Sequence, residues 1–91
     1  MFKSLLVFLF LLPLYAQYPI IIIDAGHGGH DLGTSNSHQN VKEKDLNLTV
    51  ALMVNRFLIN KGIETYMTRV DDDFISLSNR VKQSNNHASK Q

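Results

Sequence analysis

Apolar residues fall along this chain in distinct patterns, and each predicts a different element. From Leu5 to Ala16 they are nearly continuous. Pro19 to Asp24 carries the run PIIII, too short for a helix and typical of a strand buried on both faces. Residues 25–40, rich in Gly, Ser, Asn and His, predict a loop. Between Val41 and Asn60, Leu46, Val50, Met53 and Phe57 recur at helical spacing, with Val54 and Leu58 widening the stripe that should face a core. Gly62 stands where a helix C-terminal glycine is expected. Ile63 to Thr68 reads as a second strand, and a short helix carrying Leu77, Arg80 and Val81 starts near Ser76.

Strand, long helix, strand is a βαβ unit, so the two strands should run parallel with a right-handed crossover. A strand as apolar as PIIII needs cover on both faces, and two parallel strands with bare edges are not stable alone. The fold class expected is therefore α/β: the first half of a larger domain with a mixed or parallel sheet, comprising the βαβ unit and the helix after it. The chain is long enough for at most one domain.

The N-terminal segment stands apart from that fold. Lys3 precedes the apolar stretch, which is shorter than the roughly 20 residues that span a bilayer, and Ala16 provides a small residue for cleavage. Residues 1–16 read as a secretory signal peptide, leaving residues 17–91 as the mature chain and no stable membrane span. Export to the periplasm or cell envelope follows. The chain has no cysteine, which excludes disulfides, thiolate metal sites and cysteine nucleophiles. A net charge of +1 leaves no basic footprint for nucleic acid.

The chemistry concentrates in DAGHGGHDLG, residues 24–33, directly behind the first strand. Glycines at this position suit a phosphate loop or a metal site. The phosphate reading fails on detail: there is no Walker lysine, and the spacing departs from G-x-G-x-x-G. A metal would have to use His, Asp, Glu or water. Glu43, at the head of the long helix, is a candidate, although Asn40 followed three residues later by Glu43 is also a capping-box pattern. His27 alone would be an ordinary solvated turn residue.

Taken together, three segments resemble the zinc-dependent N-acetylmuramoyl-L-alanine amidases of the amidase 3 family. They are IIIDAGHGGHDLG, EKDLNLTVAL and TRVDDDFISLSNRV, in the family's order and covering nearly all of residues 19–87. The resemblance implies Zn2+ as cofactor, with His27 as first ligand and Glu43 as second. It implies that Asp24, Gly26, Gly28, Gly29 and Gly33 shape the loop presenting His27. Ala25 stands where many relatives carry proline. Arg69, Asp72 and Arg80 match family positions read as structural, an Asp between two arginines pinning the loop by charge-assisted hydrogen bonds. His30 and His38 are expected to be solvated, and the Asn47-Leu48-Thr49 sequon is discounted because it falls within the helix.

The resemblance also implies a reaction, hydrolysis of the amide joining N-acetylmuramic acid to L-alanine in peptidoglycan, and a protein activator in the envelope as a further partner. The family's third ligand is a histidine on a strand after the Arg80 helix, and its general-base glutamate lies later still. Both are expected beyond Gln91, with His87 too early to substitute, so the 91 residues are expected to be an incomplete, inactive portion of the catalytic domain. The competing readings are an exported non-catalytic wall-binding or degenerate module, and a different zinc peptidase with the same strand–His–Glu layout.

Overall fold

The computed structural model describes residues 19–36 and 38–88; the leader proposed for residues 1–16 lies outside them. Six elements follow in order: β1 (Ile21–Ile23), β2 (Ser35–Asn36), β3 (Val41–Lys42), α1 (Glu43–Asn60), β4 (Thr65–Met67) and α2 (Leu77–Ala88). β1 and β4 pair in parallel, with Ile21 opposite Thr65, Ile22 opposite Tyr66 and Ile23 opposite Met67. Bonds from Ile21 N–H to the Glu64 carbonyl and from Thr68 N–H to the Ile23 carbonyl, both 3.0 Å, extend the ladder at its ends. The expected strand–helix–strand unit is present.

Successive strand residues point to opposite faces, and β4 uses that alternation to hold both helices. Thr65 hydrogen-bonds Asn55 of α1. Tyr66, on the other face, donates to Gln83 of α2 at 3.0 Å and stacks on His87 with ring centroids 3.8 Å apart. α1 and α2 thus lie on opposite sides of the strand pair.

α1 ends as its glycine predicts. Gly62 N–H bonds the Ile59 carbonyl at 2.9 Å and Ile63 N–H the Leu58 carbonyl at 3.0 Å, the paired bonds of a Schellman turn. α2 starts at a serine cap, with Asn79 N–H donating to Ser76 Oγ at 3.2 Å.

Three expectations need correction. First, β1 is shorter than Pro19–Asp24 and is not sealed on both faces, Ile21 being 39% exposed. Second, residues 25–40 are not all loop: Ser35–Asn36 pair antiparallel with Val41–Lys42, so the helix begins at Glu43 rather than Val41. Asn40 has a φ of 53°, which suits the tight turn of that hairpin and not a helix cap. Third, the stripe assigned to the core is exposed: Leu46 55%, Val50 57%, Met53 67%, Phe57 61%.

The face that meets the strands runs instead through Lys44, Leu48, Ala51 and Asn55, joined by Leu58 from the margin of the predicted stripe. It is offset by two positions from the predicted stripe, about 160° around the helix. α1 is apolar on both sides, and among the described residues only one of them is covered. The deep interior is mostly polar. Ala25 and Ala51 are its only buried apolar residues, against Lys44, Thr68, Arg69 and Arg80 among the described residues.

Candidate metal centre

Beyond β1 the backbone enters the left-handed region at His27 (φ 63°), and two glycines continue the turn. Gly28 and Asp31 then exchange backbone hydrogen bonds of 2.8 and 3.0 Å, closing a tight loop. That closure sets Asp31 Oδ2 at 2.9 Å from His27 Nδ1. The other ring nitrogen, Nε2, lies 3.1 Å from Glu43 Oε1, across a separation of sixteen residues.

Glu43 reaches that point because the returning loop replaces an N-cap. Lys42 precedes the helix with no side-chain cap; Glu43 N–H bonds the Thr34 carbonyl at 2.8 Å and Lys44 N–H the Leu32 carbonyl at 3.1 Å. The loop carbonyls thereby satisfy amides that a helix start leaves free. Glu43 Oε2 accepts from Thr34 N–H at 2.9 Å, leaving Oε1 toward the histidine. The carboxylate does not fold back onto Asn40, so the capping-box alternative does not describe this helix.

This pair suits a metal ion. Two ligands about 2.1 Å from a tetrahedral zinc stand roughly 3.4 Å apart, close to the 3.1 Å between Nε2 and Oε1. Both side chains are about one-third exposed, at 33% and 38%, so the point between them is open to solvent. Among the described residues, no group of three or more His, Asp or Glu side chains is arranged to hold a metal.

The charges are coupled. The hydrogen bond to Asp31 raises the His27 pKa; burial opposes it, and the charges of Asp31 and Glu43 add to it. The same bond, with Gly33 N–H, holds Asp31 below its ordinary value. Thr34 N–H is the main reason Glu43 is depressed, His27 adding to it. Both carboxylates are therefore ionised at neutral pH.

Two buried arginines fix the loop carrying His27. Arg69 donates to the carbonyls of Ala25 (2.9 Å), Gly26 (2.9 Å), Lys44 (3.0 Å) and Asp71 (2.9 Å). Arg80 donates to Asp24 Oδ1 at 2.5 Å and to the carbonyls of Ala25 and His27 at 2.8 Å each, and to that of Ile75 at 2.9 Å. Asp24 also accepts from Thr68 Oγ1 at 2.7 Å. Burial pushes the Asp24 carboxyl up, but the bonds from Thr68 and Arg80 outweigh it and hold the pKa below its ordinary value.

Asp72 does not sit between the arginines as expected. It pairs with Lys44 Nζ at 2.7 Å and accepts from Gly29 N–H at 2.8 Å. The arginine forks are already occupied by backbone carbonyls, and the buried Lys44 ammonium, which also donates to the Gly29 carbonyl at 2.9 Å, needs an anion. The pairing with Lys44 lowers the Asp72 pKa. Asp72 thus links Lys44 to the Gly29 amide rather than to either arginine.

Gly33 shows why this loop needs a glycine. Its φ is +66°, and a Cβ there would lie 2.7 Å from His27 Cδ2 and 2.8 Å from Glu43 Oε2. Gly28 is equally constrained, since its Cβ would strike the Asp73 carbonyl oxygen at 2.0 Å. Gly29 lies against Phe74, whereas Gly26 meets only Asn47, which also donates to its carbonyl at 3.1 Å.

His27 and Glu43 are thus brought together, with Asp24, Gly28, Gly29, Gly33, Arg69, Asp72 and Arg80 arranged around them. His30 is exposed but stacks on Phe74 at 4.1 Å, His38 is exposed, and His87 is engaged with Tyr66 on α2. The sequence reading passed over Asp31 and Lys44. The His-x-x-x-Asp spacing around two glycines is the one local sign that marks Asp31. Nothing local marks Lys44, whose partner lies 28 residues on.

Residues 21–90 match Amidase_3, N-acetylmuramoyl-L-alanine amidase. Over 65 residues the chain is 44% identical to the probable cell wall amidase LytH of Staphylococcus aureus, covering 70% of this chain and 22% of that protein. The N-acetylmuramoyl-L-alanine amidase structure from Clostridium difficile 630 aligns with a TM-score of 0.76 at 39% identity, covering 80% of this chain and 40% of that one. The CwlD amidase from Clostridioides difficile, in complex with the GerS lipoprotein, aligns with a TM-score of 0.59 at 34% identity, covering 80% and 39%. The chain spans about a fifth of the length of the curated relatives it matches. By sequence and fold together, it belongs to the Amidase_3 family of N-acetylmuramoyl-L-alanine amidases.

Proposed function

We propose that this chain carries the first part of a zinc-dependent peptidoglycan amidase, with His27 and Glu43 as two of its metal ligands. The observation that carries the reading is the 3.1 Å approach of Nε2 to Oε1, each side chain held from behind by an independent hydrogen bond. When bound, zinc would polarise the amide carbonyl between N-acetylmuramic acid and L-alanine and lower the pKa of a bound water. His27 would supply a neutral nitrogen and Glu43 a carboxylate oxygen, while the arginine-fixed loop holds the imidazole in place. A further histidine ligand and the general-base glutamate are assigned to residues outside 1–91.

Residues 1–16 are read as a signal peptide and residues 17–91 as catalytic-domain sequence, exported to the envelope; the cell-wall relative supports that location. A protein activator fits the same setting, and the CwlD–GerS complex is the precedent for a partner protein. Among the described residues, no helix is long and apolar enough to cross a membrane.

Zinc titration of the chain and of His27→Ala and Glu43→Ala tests the ligands: both variants should lose binding, and unchanged binding defeats the assignment. Digesting peptidoglycan with the chain extended through the remaining domain should release peptides with a new L-alanine amino end. Release of any other amine end identifies a different zinc peptidase.

The competing reading for the 91 residues alone is a non-catalytic wall-binding module. Peptidoglycan pull-down without digestion would support it.

A further inference from the structure

The metal reading needs His27 to present Nε2, and the structure holds a group that decides this. Asp31 Oδ2 lies 2.9 Å from Nδ1, on the side of the ring away from Glu43. Its carboxylate is not free to turn away. Oδ1 accepts from Gly33 N–H at 3.2 Å, and the paired backbone bonds between Gly28 and Asp31 fix the Cα from which it projects.

Three anchors of independent origin therefore act on one side chain: the backbone bridge, the Gly33 amide and the imidazole itself. Glu43 is bound differently, because its Oε2 is taken by Thr34 N–H while Oε1, among the described residues, has His27 as its one hydrogen-bond partner. Of the two carboxylates beside His27, Asp31 is the shorter contact and the one built into the same loop.

We infer that Asp31 is a positioning residue for His27: it holds the ring proton on Nδ1 and sets the ring plane, so that Nε2 is the nitrogen offered to a metal beside Glu43. A carboxylate or carbonyl behind a histidine ligand commonly fixes tautomer and orientation, and its loss costs about 10–100-fold in metal affinity. This inference rests on the zinc reading proposed above, but part of it is testable without any metal.

The test uses nitrogen-15 NMR of the imidazoles together with zinc titration against a competing chelator, on the chain extended through the remaining domain. In the metal-free chain, His27 brought to its neutral form should keep its proton on Nδ1. In Asp31→Ala the proton should move to Nε2, toward Glu43. A wild-type ring protonated on Nε2 overturns the inference, and this readout requires no variant to fold. With zinc, the wild-type shift should appear at Nε2, and Asp31→Ala should weaken binding about 10–100-fold.

Coordination through Nδ1, or an Asp31→Ala affinity within about twofold of wild type, also overturns it. If Nδ1 carries the proton and Asp31→Ala moves it, yet neither the wild-type nor the variant chain binds zinc when extended through the remaining domain, the positioning role stands and the zinc reading falls. Asp31→Asn keeps an oxygen for the Gly33 amide without the charge, and its zinc affinity should fall between those of wild type and Asp31→Ala.

Discussion

The guanidinium of Arg80, on the last helix, donates to the carbonyl of His27 at 2.8 Å. That bond grips the backbone of a non-glycine residue held at a φ of 63°. Histidine tolerates this region poorly enough that the surrounding structure must enforce it. Arg80→Lys keeps the charge and loses the fork. A lysine cannot serve Asp24 and three carbonyls at once, and each buried acceptor left unpaired costs about 1–3 kcal/mol. Roughly 3 kcal/mol of stability should be lost, seen as a lower denaturant midpoint, with zinc affinity falling in parallel.

Gly33 and Gly62 are both left-handed, at 66° and 77°, but only Gly33 has neighbours within 4 Å of an added methyl. Gly62→Ala should cost about 1–2 kcal/mol of stability through backbone strain alone and leave zinc affinity unchanged. Gly33→Ala carries the same strain and also drives His27 and Glu43 apart. It should weaken zinc binding by about tenfold or more. Equal zinc affinities in the two variants would show that Gly33 has no part in the site.

Asp24 makes the fold acid-sensitive. Its pKa is depressed on folding, so its contribution is fully present above the ordinary carboxylate value of 3.8 and is lost as pH falls through that value and then through the lower folded one. Asp31, Glu43 and Asp72 shift in the same direction and add to the loss. Asp24→Asn should lower stability at neutral pH and flatten the decline in acid. Urea unfolding followed from neutral pH into the acid limb measures both effects.

The bare outer stripe of α1 predicts how residues 17–91 behave alone. Leu46, Val50, Met53 and Phe57 form a continuous exposed apolar face, and among the described residues the β1–β4 pair has unpaired edges. This material should bind an apolar dye such as ANS, associate at raised concentration, bind zinc weakly and release no stem peptide. Met53→Lys with Phe57→Lys should reduce dye binding without changing the helix content seen by circular dichroism. Zinc-dependent peptide release by residues 17–91 would refute the assignment of the missing groups to residues outside 1–91.

Much of this was legible in the residues. The strand–helix–strand order follows from PIIII, the helical spacing after Val41 and the Gly62 terminator, all local signals. The pairing of His27 with Glu43 was not local, and it rested on the family resemblance, since periodicity left Glu43 open between a cap and a ligand. The side of α1 that packs was misjudged because both sides are apolar, and spacing alone cannot say which of two stripes meets the sheet. Asp72 was assigned to the arginines because charge suggests a partner and does not rank the competitors. Backbone carbonyls, invisible as sequence letters, had already claimed both guanidinium groups.

The loop around His27 takes its shape from a residue 53 positions downstream. A chain made from its N-terminus therefore carries DAGHGG long before anything can hold it in that shape. The closing contacts span most of the sequence, and such distant closures come late because their entropy must be met first. Until Arg80 arrives, His27 and Glu43 belong to a flexible segment with no shared focus. A metal ion encountered during synthesis would meet scattered donors. The site comes into being at the end of folding.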